Sequence, residues 1–406
     1  MPKRILFIMS DTGGGHRAAA EAIRDALILK YGDEVQCNLV DGFRSYSPFP
    51  FKYMPELYPV LIQYSKSSWG VGYNLLNTKR RAKLAAGAIY LTAEKRLKRM
   101  LREYPADVVV SVHSVLTHIS MQAMISQEKR PPYVVVVTDL VSTHHFWYDR
   151  RTDRVLVPTQ PAFERGLEAG LKPEQMRVTG LPVHPKFAES LVDKAAARQT
   201  LGWDATLPAI LMVAGGEGMG PLFKTARALN DKNLKCQLVI IAGRNKALKE
   251  KLDECDWNQP THTYGFVTDM PRFMAAADIL VTKAGPATIS EAAIAGLPLI
   301  LFDAIPGQET GNVDFVVEND AGVFAPSPEL VANAAQQWLS EGAAGLARRS
   351  EAARRIARPN AVWDIADEIW EYAHQPAIKS KKRNILKDVA ERAKLLNDLI
   401  PGGLSS

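Results

Sequence analysis

Cysteine is scarce. Cys37, Cys236 and Cys255 are the only three in 406 residues, too few and too scattered for a disulfide framework or a zinc cluster. That usage points to a reducing compartment, and the cytoplasm is the expected location. No apolar run approaches the ~18 residues that a membrane-spanning helix needs. The N-terminal stretch MPKRILFIMSDTGGGH runs from apolar residues straight into an acid and a glycine cluster, without a small-residue cleavage site. It reads as a first strand, not a signal peptide. Low-complexity sequence and repeats of solenoid period are also missing. With 47% hydrophobic and 23% charged residues the chain is neither disordered nor fibrous, and its length makes two domains the default.

The net charge of +6 is unevenly spread. Residues 79–102 hold nine Lys or Arg against one acid, and the stretch from Lys379 onward holds seven against three. The remainder is therefore acidic. An acidic body with two basic patches calls for a polyanionic partner, either nucleic acid or an anionic membrane surface.

Short β-branched runs alternate with helix-like stretches. The first series is Arg4–Met9, Val35–Val40, Asp107–Val112, Tyr133–Thr138 and Arg154–Val157. The second is Ala209–Val213, Gln237–Ala242, Ile279–Thr282, Pro298–Phe302 and Gly322–Phe324. Such alternation predicts an α/β fold with parallel sheets covered on both faces, and two series predict two doubly wound domains. The expected boundaries are an N-terminal domain over 1–180, a linker over 181–206 and a C-terminal domain over 207–357. A helix over 358–374 carries Trp363, Ala366, Ile369 and Trp370 on one face, and a basic amphipathic tail fills 375–406.

Between the first strand and its helix lies Asp11-Thr12-Gly13-Gly14-Gly15-His16. Three glycines let backbone amides approach a ligand at the positive end of a helix, at the carboxyl edge where open α/β sheets place their sites. His16 opens the helix, and an imidazole titrating near neutrality suits a general base. The lysine and hydroxyl residue of a Walker loop are missing. In the second series Gly215-Gly-Glu-Gly-Met-Gly-Pro221 repeats the device, with Gly216, Glu217 and Gly218 at its centre. Arg244 offers a guanidinium, and Phe266 and Val267 end another strand. Lys283-Ala-Gly285-Pro286-Ala287-Thr288 opens a helix with proline at its first position, an anion site by construction. Glu291 lies within that helix, where it can accept from a ribose diol, and Gln308 and Glu309 follow a fifth strand. Five glycine-bearing loops on one sheet edge describe a site for a nucleoside diphosphate. The sequence has no Asp-x-Asp clamp for a metal-bound sugar nucleotide, so helix dipole, amides, Lys283 and Arg244 must neutralise the phosphates. No metal or other cofactor is expected.

These motifs, SDTGGGHRAAAEAI, GGEGMGP, AGRN, GFVTDM, TKAGPATISEA and GQETGNVDFVVEN, resemble in order those of the monogalactosyldiacylglycerol synthases and processive diacylglycerol glucosyltransferases. These enzymes share a wider family with the peptidoglycan enzyme that adds N-acetylglucosamine to lipid I. The resemblance covers about residues 4–373 and departs from the pattern at Ala287 and Ala214. It implies a GT-B architecture, two Rossmann-like domains facing a central cleft, with the 358–374 helix packing back on the N-terminal domain. It implies an inverting transfer of a hexose, galactose favoured, from a UDP-sugar to the free hydroxyl of 1,2-diacylglycerol. On that pattern His16 takes the acceptor proton, Phe266 and Val267 bracket uracil, and Glu291 holds ribose. The Gly285–Thr288 turn holds the diphosphate, Gln308 and Glu309 face the hexose, and Gly216–Gly218 lie near both. The donor is UDP-galactose or UDP-glucose.

Residues 43–73 contain nine of the chain's 32 aromatics, and the basic segment follows at once. Aromatics beside Lys and Arg form a monotopic surface for anionic phospholipid. Tyr58, Trp69, Arg80, Arg81, Lys83, Lys95 and Arg96 are its expected members, at the inner face of a membrane and with no role for nucleic acid. Asp139, His144 and His145 are expected to line the acceptor cleft, with Thr12, Gly13, Gly14 and Gly15. His113 is expected to be a satisfied core histidine. A UDP-sugar 2-epimerase and a peptidoglycan-type acceptor enzyme are the rivals, and a non-enzymatic binder built on the basic patches would leave the loops unexplained.

Overall fold

The computed structural model describes residues 1–380 except Gly13, Glu217 and Met219, and leaves aside the side chains of Pro59 and residues 61–64. Residues 381–406 of the expected amphipathic tail lie outside the described residues, as do the site candidates Gly13 and Glu217.

The chain divides into two compact units, residues 1–182 together with the chain from Asn360 onward, and residues 183–359. The first unit runs β1 (Lys3–Met9), α1 (Gly15–Tyr31), β2 (Val35–Asp41), α2 (Met54–Tyr64), α3 (Lys66–Leu76), α4 (Lys79–Glu103) and β3 (Val108–Ser111). It continues with α5 (Ser114–Met124), β4 (Lys129–Arg130), β5 (Tyr133–Val136), β6 (Arg154–Val157), α6 (Gln160–Ala169) and β7 (Met176–Val178). Six of these strands form a parallel sheet in the order β2-β1-β3-β5-β6-β7. Strand β7 was not among the expected runs: it is a three-residue edge strand with Arg177 turned outward, so it carries no continuous apolar signal.

The second unit begins with α7 (Pro185–Glu189) and α8 (Lys194–Leu201), so half of the stretch expected as a plain linker is helical. Asp193 caps α8, accepting from the amides of Ala195 and Ala196, and Arg198 reaches Asp278 at 2.5 Å. These contacts tie the segment to the second unit. There follow β8 (Ala209–Val213), α9 (Leu222–Asp231), β9 (Gln237–Ile241), α10 (Lys246–Asp253), β10 (Thr261–Tyr264), α11 (Met270–Ala276) and β11 (Ile279–Lys283). The unit ends with α12 (Pro286–Ala295), β12 (Leu299–Asp303), α13 (Thr310–Glu318), β13 (Gly322–Phe324), α14 (Pro328–Ser340) and α15 (Gly342–Arg355). Its parallel sheet has the order β10-β9-β8-β11-β12-β13, with the topological switch between β8 and β11.

The chain then returns to the first unit as α16 (Ala361–Ala373) and β14 (Ile378–Lys379), which pairs antiparallel with β4. Val362, Ile365, Ala366 and Ile369 enter the core beneath α1, beside Ile5, Phe7, Ile23 and Leu27. The helix is anchored by Glu368, which receives Arg154 at 2.8 Å and Arg177 at 2.9 Å.

Candidate active site

In a parallel sheet the loops that follow adjacent strands meet at one edge, whatever their separation in sequence. In the first unit β2, β1, β3 and β5 lie side by side, and their carboxyl ends bring together Asp41, the glycine loop, His113 and Thr138. Asp41 organises this edge. Its carboxylate accepts from the amide of Asp11 at 3.1 Å and from those of Phe43 and Arg44 at 2.9 and 2.8 Å. Gly14 begins α1 with φ +76°, a left-handed conformation suited to glycine, and no side chain caps the helix. Gly14 and Gly15 are exposed, and a Cβ at either would meet nothing within 4 Å. The loop is therefore open above its backbone.

His16 is half-buried. Its Nδ1 lies 2.9 Å from Thr138 Oγ1. Desolvation pushes its pKa down to about 4, partly offset by the backbone carbonyl of Val112. The expectation of titration near neutrality is thus corrected: the imidazole is neutral throughout the physiological range, ready to accept a proton but weaker as a base. His113 corrects a second expectation. It is buried, but its ring centroid is 4.4 Å from that of His16, its Nε2 is 3.0 Å from Thr12 Oγ1, and its Nδ1 has no hydrogen-bond partner among the described residues. Burial and the neighbouring His16 hold its pKa well below the usual histidine range. Thr138, His113 and Trp147, whose ring lies 6.1 Å from that of His16, were absent from the expected site. The signal for the first two was available, because His113 follows β3, the neighbour of β1, and Thr138 follows β5, the next strand along the same edge.

Asp139, His144 and His145, expected along the acceptor cleft, are buried in the first unit. Asp139 is buried and accepts the indole N–H of Trp147 at 2.6 Å, so it fixes that ring near His16. His144 is buried, accepts from the amide of Phe146 through Nδ1 and meets the Tyr73 carbonyl at 3.3 Å. The His145 amide donates to Asn77 Oδ1. Both histidines fasten this loop to the α3–α4 junction, and burial pushes each pKa down to about 4.

In the second unit the loops after β8, β9, β10, β11 and β12 share one edge. Two are interlocked. Gly218 has φ +59°, and a Cβ there would lie 2.0 Å from the Ala242 carbonyl oxygen; a Cβ at Gly243, φ +62°, would lie 2.4 Å from that of Gly216. The Arg244 amide donates to the Gly216 carbonyl at 2.8 Å, and Asn245 Nδ2 donates to the Gly218 carbonyl. Arg244 lies over the Phe266 ring at 4.2 Å, and 52% of Phe266 is exposed. A cation on one side and an open edge on the other leave that ring free to stack. Val267 beside it is half-buried.

Helix α12 begins at Gly285 without a side-chain cap, with Pro286 in its first turn and Ala287 and Thr288 half-buried behind it. Its first amides are thus presented as an anion site. Lys283 stands beside this turn and pairs with Glu309 at 3.2 Å. Glu291 is half-buried in the same helix, and desolvation raises its pKa to about 7. Asn312 Nδ2 donates to the Ala284 carbonyl at 2.9 Å, tying α13 to the turn. Gln308 is half-buried. Glu309 is almost wholly buried, with one oxygen on Lys283 and the other on the Ile305 amide.

The surface expected to meet a membrane divides. Phe43 and Tyr46 belong to the core, and Tyr58 and Trp69 are half-buried, packed edge-on at 5.2 Å. The exposed apolar residues are Phe49 at 77%, Tyr53, Leu57 and Val60, with Val71, Leu75 and Leu76 on α3. Leucine and valine, common in any helix, give no such signal in the sequence. On α4, Ala82, Ala86, Tyr90, Ala93, Leu97 and Met100 face the core, while Arg80, Arg81, Lys83, Lys95 and Arg96 are exposed. Among the described residues no helix is long and apolar enough to cross a membrane.

Comparison with known proteins agrees with this arrangement. The family described as "Monogalactosyldiacylglycerol (MGDG) synthase" matches residues 16–183, and "Glycosyltransferase family 28 C-terminal domain" matches residues 210–355. Monogalactosyldiacylglycerol synthase 2, chloroplastic, of Arabidopsis thaliana is 41% identical over 384 residues, 92% of this chain and 81% of the relative. The probable synthase of Glycine max, also chloroplastic, is 39% identical over 385 residues, 92% of this chain and 72% of that one. Among solved structures, MurG of Acinetobacter baumannii superposes with a TM-score of 0.62 at 16% identity, covering 91% of this chain and all of the other. The fold is GT-B. The expected cytoplasmic location does not stand, because these relatives are chloroplastic. Scarce cysteine marks a reducing compartment without choosing which one. With relatives this similar along nine-tenths of its length, the chain belongs to the monogalactosyldiacylglycerol synthase family of glycosyltransferases and is a hexosyltransferase.

Proposed function

We propose that this enzyme transfers galactose from UDP-galactose to the free hydroxyl of 1,2-diacylglycerol, with inversion at the anomeric carbon, at a membrane surface. The observation that carries the reading is the 39–41% identity to synthases named for that product, extending over both units. The residues supply a coherent chemistry. The acceptor hydroxyl gives its proton to neutral His16 as its oxygen bonds to the anomeric carbon. The bond to UDP breaks on the opposite face, and the departing diphosphate takes the electron pair. Its negative charge meets the α12 amides and Lys283, a preorganised electrostatic site. Arg244 and Phe266 receive the base, and Glu291 the ribose. The phosphates are neutralised by amides and side chains, so the reaction runs without a metal ion. The exposed apolar residues of 49–76 and the basic face of α4 are the dock for the bilayer that holds the acceptor, with anionic phospholipid as its preferred surface. The epimerase reading has only the shared fold behind it.

The test is transfer from UDP-galactose and UDP-glucose, side by side, to diacylglycerol in mixed vesicles with excess EDTA. Monogalactosyldiacylglycerol at undiminished rate is expected, with a loss of at least about a hundredfold in kcat for His16→Ala. Glucolipid as the main product would reassign the donor. Activity abolished by EDTA and restored by a divalent cation would remove the metal-free mechanism.

A further inference from the structure

Lys283 and Glu309 come from different strand ends and form one unit. The Glu309 Oε2 accepts the Ile305 amide at 2.9 Å, while its own amide donates to the Ile305 carbonyl at 2.8 Å, which closes the 305–309 turn on itself. Oε1 lies 3.2 Å from Lys283 Nζ. The Glu309 side chain is only 5% exposed, whereas that of Lys283 is 28% exposed. A hexose hydroxyl would have to reach a carboxylate that is almost wholly covered and whose two oxygens already hold the turn and the lysine. Lys283 is differently placed. A Cβ at Gly285 would lie 3.8 Å from its Nζ and 3.9 Å from Glu309 Oε1, and a Cβ at Gly215 would lie 3.7 Å from its Cε. The lysine therefore spans the two glycine turns that flank the switch point between β8 and β11. A lysine is a point charge on a flexible stem, and such a charge acts on a ligand only where something fixes it.

We propose that Glu309 is a positioning residue that holds Lys283 against the donor's diphosphate, and that it makes no contact with the transferred hexose. This rests on the donor reading above. It assigns the pair to the phosphate-bearing half of the donor, and leaves the choice between galactose and glucose to other groups.

Calorimetric titration of UDP, UMP and UDP-galactose into the wild type, Glu309→Gln, Lys283→Met and the double variant tests it. Glutamine keeps an acceptor for the Ile305 amide and removes the charge that holds the lysine. Glu309→Gln is expected to weaken UDP and UDP-galactose by the same factor, about tenfold or more for a charge-assisted contact, and to leave UMP within about twofold, because UMP lacks the β-phosphate. The double variant should bind UDP no more weakly than Lys283→Met alone, since both substitutions remove one interaction. The ratio of kcat/KM for UDP-galactose over UDP-glucose should not move. Wild-type affinity for UDP with a loss confined to UDP-galactose, or an altered sugar preference, makes Glu309 a hexose contact and overturns the proposal. Equal losses for UMP and UDP also overturn it, as the signature of general damage to the unit. Should Glu309→Gln fail to fold by circular dichroism, Lys283→Met carries the test through the same UDP-to-UMP comparison, and unchanged UDP affinity there is decisive against it. A wild type that binds neither UDP nor UDP-galactose is a different failure, that of the donor reading itself.

Discussion

A histidine with a pKa near 4 is an unusual general base, and its consequence is measurable. With His16 as the proposed base, its neutral form is the active one, so kcat/KM, which reports free-enzyme groups, should lose its acid limb with an apparent pKa near 4 and not near 6.5. A pH–rate profile from pH 4 to 8 checks this, and a limb at 6.5 would assign the base elsewhere. The same desolvation acts on stability. His16, His113, His144, His145 and His262 all have lowered folded-state pKa values, so below about pH 6.5 the unfolded chain binds more protons than the folded one. Stability should be fully present above pH 6.5 and fall as the pH approaches 4. Melting curves taken at each pH separate this from the titration of the base. Glu291 works in the opposite sense. Its carboxyl is half protonated near pH 7, and a ribose diol donates to the ionised form. Donor binding should release a proton, so affinity for UDP-galactose should rise about tenfold from pH 6 to pH 8. Glu291→Gln should bind with no such slope.

The glycine loop after β8 is a device of the element, not of any one residue. Its glycines let the 215–220 and 242–245 turns touch backbone to backbone. Gly218→Ala puts a methyl 2.0 Å from a carbonyl oxygen at a positive φ, and should cost about 1–3 kcal/mol of stability together with most of the UDP affinity. Gly15→Ala meets nothing and has no such φ, so its melting temperature should stay close to wild type. Thermal melts of the two variants decide. The elements themselves were legible in the sequence where a strand is a continuous apolar run between turn signals: Arg154–Val157, Ala209–Val213 and Gly322–Phe324 have the expected bounds. Where burial is one-sided, as in Met176–Val178, the signal vanishes. The positions of the loops were legible for the same reason, since parallel strands put their carboxyl ends on one edge. The directions of side chains were not. Thr12 meets His113 across 101 residues, and the inward turn of Asp139 depends on an indole eight residues away. Such contacts follow from packing that no local pattern encodes.

For the molecule as a whole, the question is how the protein reaches the proposed acceptor, a lipid that stays in a bilayer. The segment 79–102 concentrates positive charge, and the helical period sorts it. The apolar residues of α4 recur on one face and enter the core, leaving Arg80, Arg81, Lys95 and Arg96 on the opposite face. Next to them α2 and α3 leave Leu57, Val60, Val71 and Leu75 exposed. Neither feature anchors a protein alone: apolar insertion is shallow and reversible, and charge is screened within about 10 Å at ordinary salt. Together they give two independent contributions with different signatures. Replacing Arg80, Lys95 and Arg96 by glutamine removes three charges, each worth about 1 kcal/mol at an anionic surface, so partition onto vesicles rich in phosphatidylglycerol should fall about a hundredfold. Binding to neutral vesicles should not change. Val71→Ser with Leu75→Ser should lower binding to both kinds, and added salt should weaken the preference for anionic vesicles in the wild type and in the serine variant alike. Vesicle sedimentation across a salt series reads all three. Equal partition of the glutamine variant and the wild type onto anionic vesicles would leave the basic face of α4 as a solvated surface with no part in reaching the acceptor.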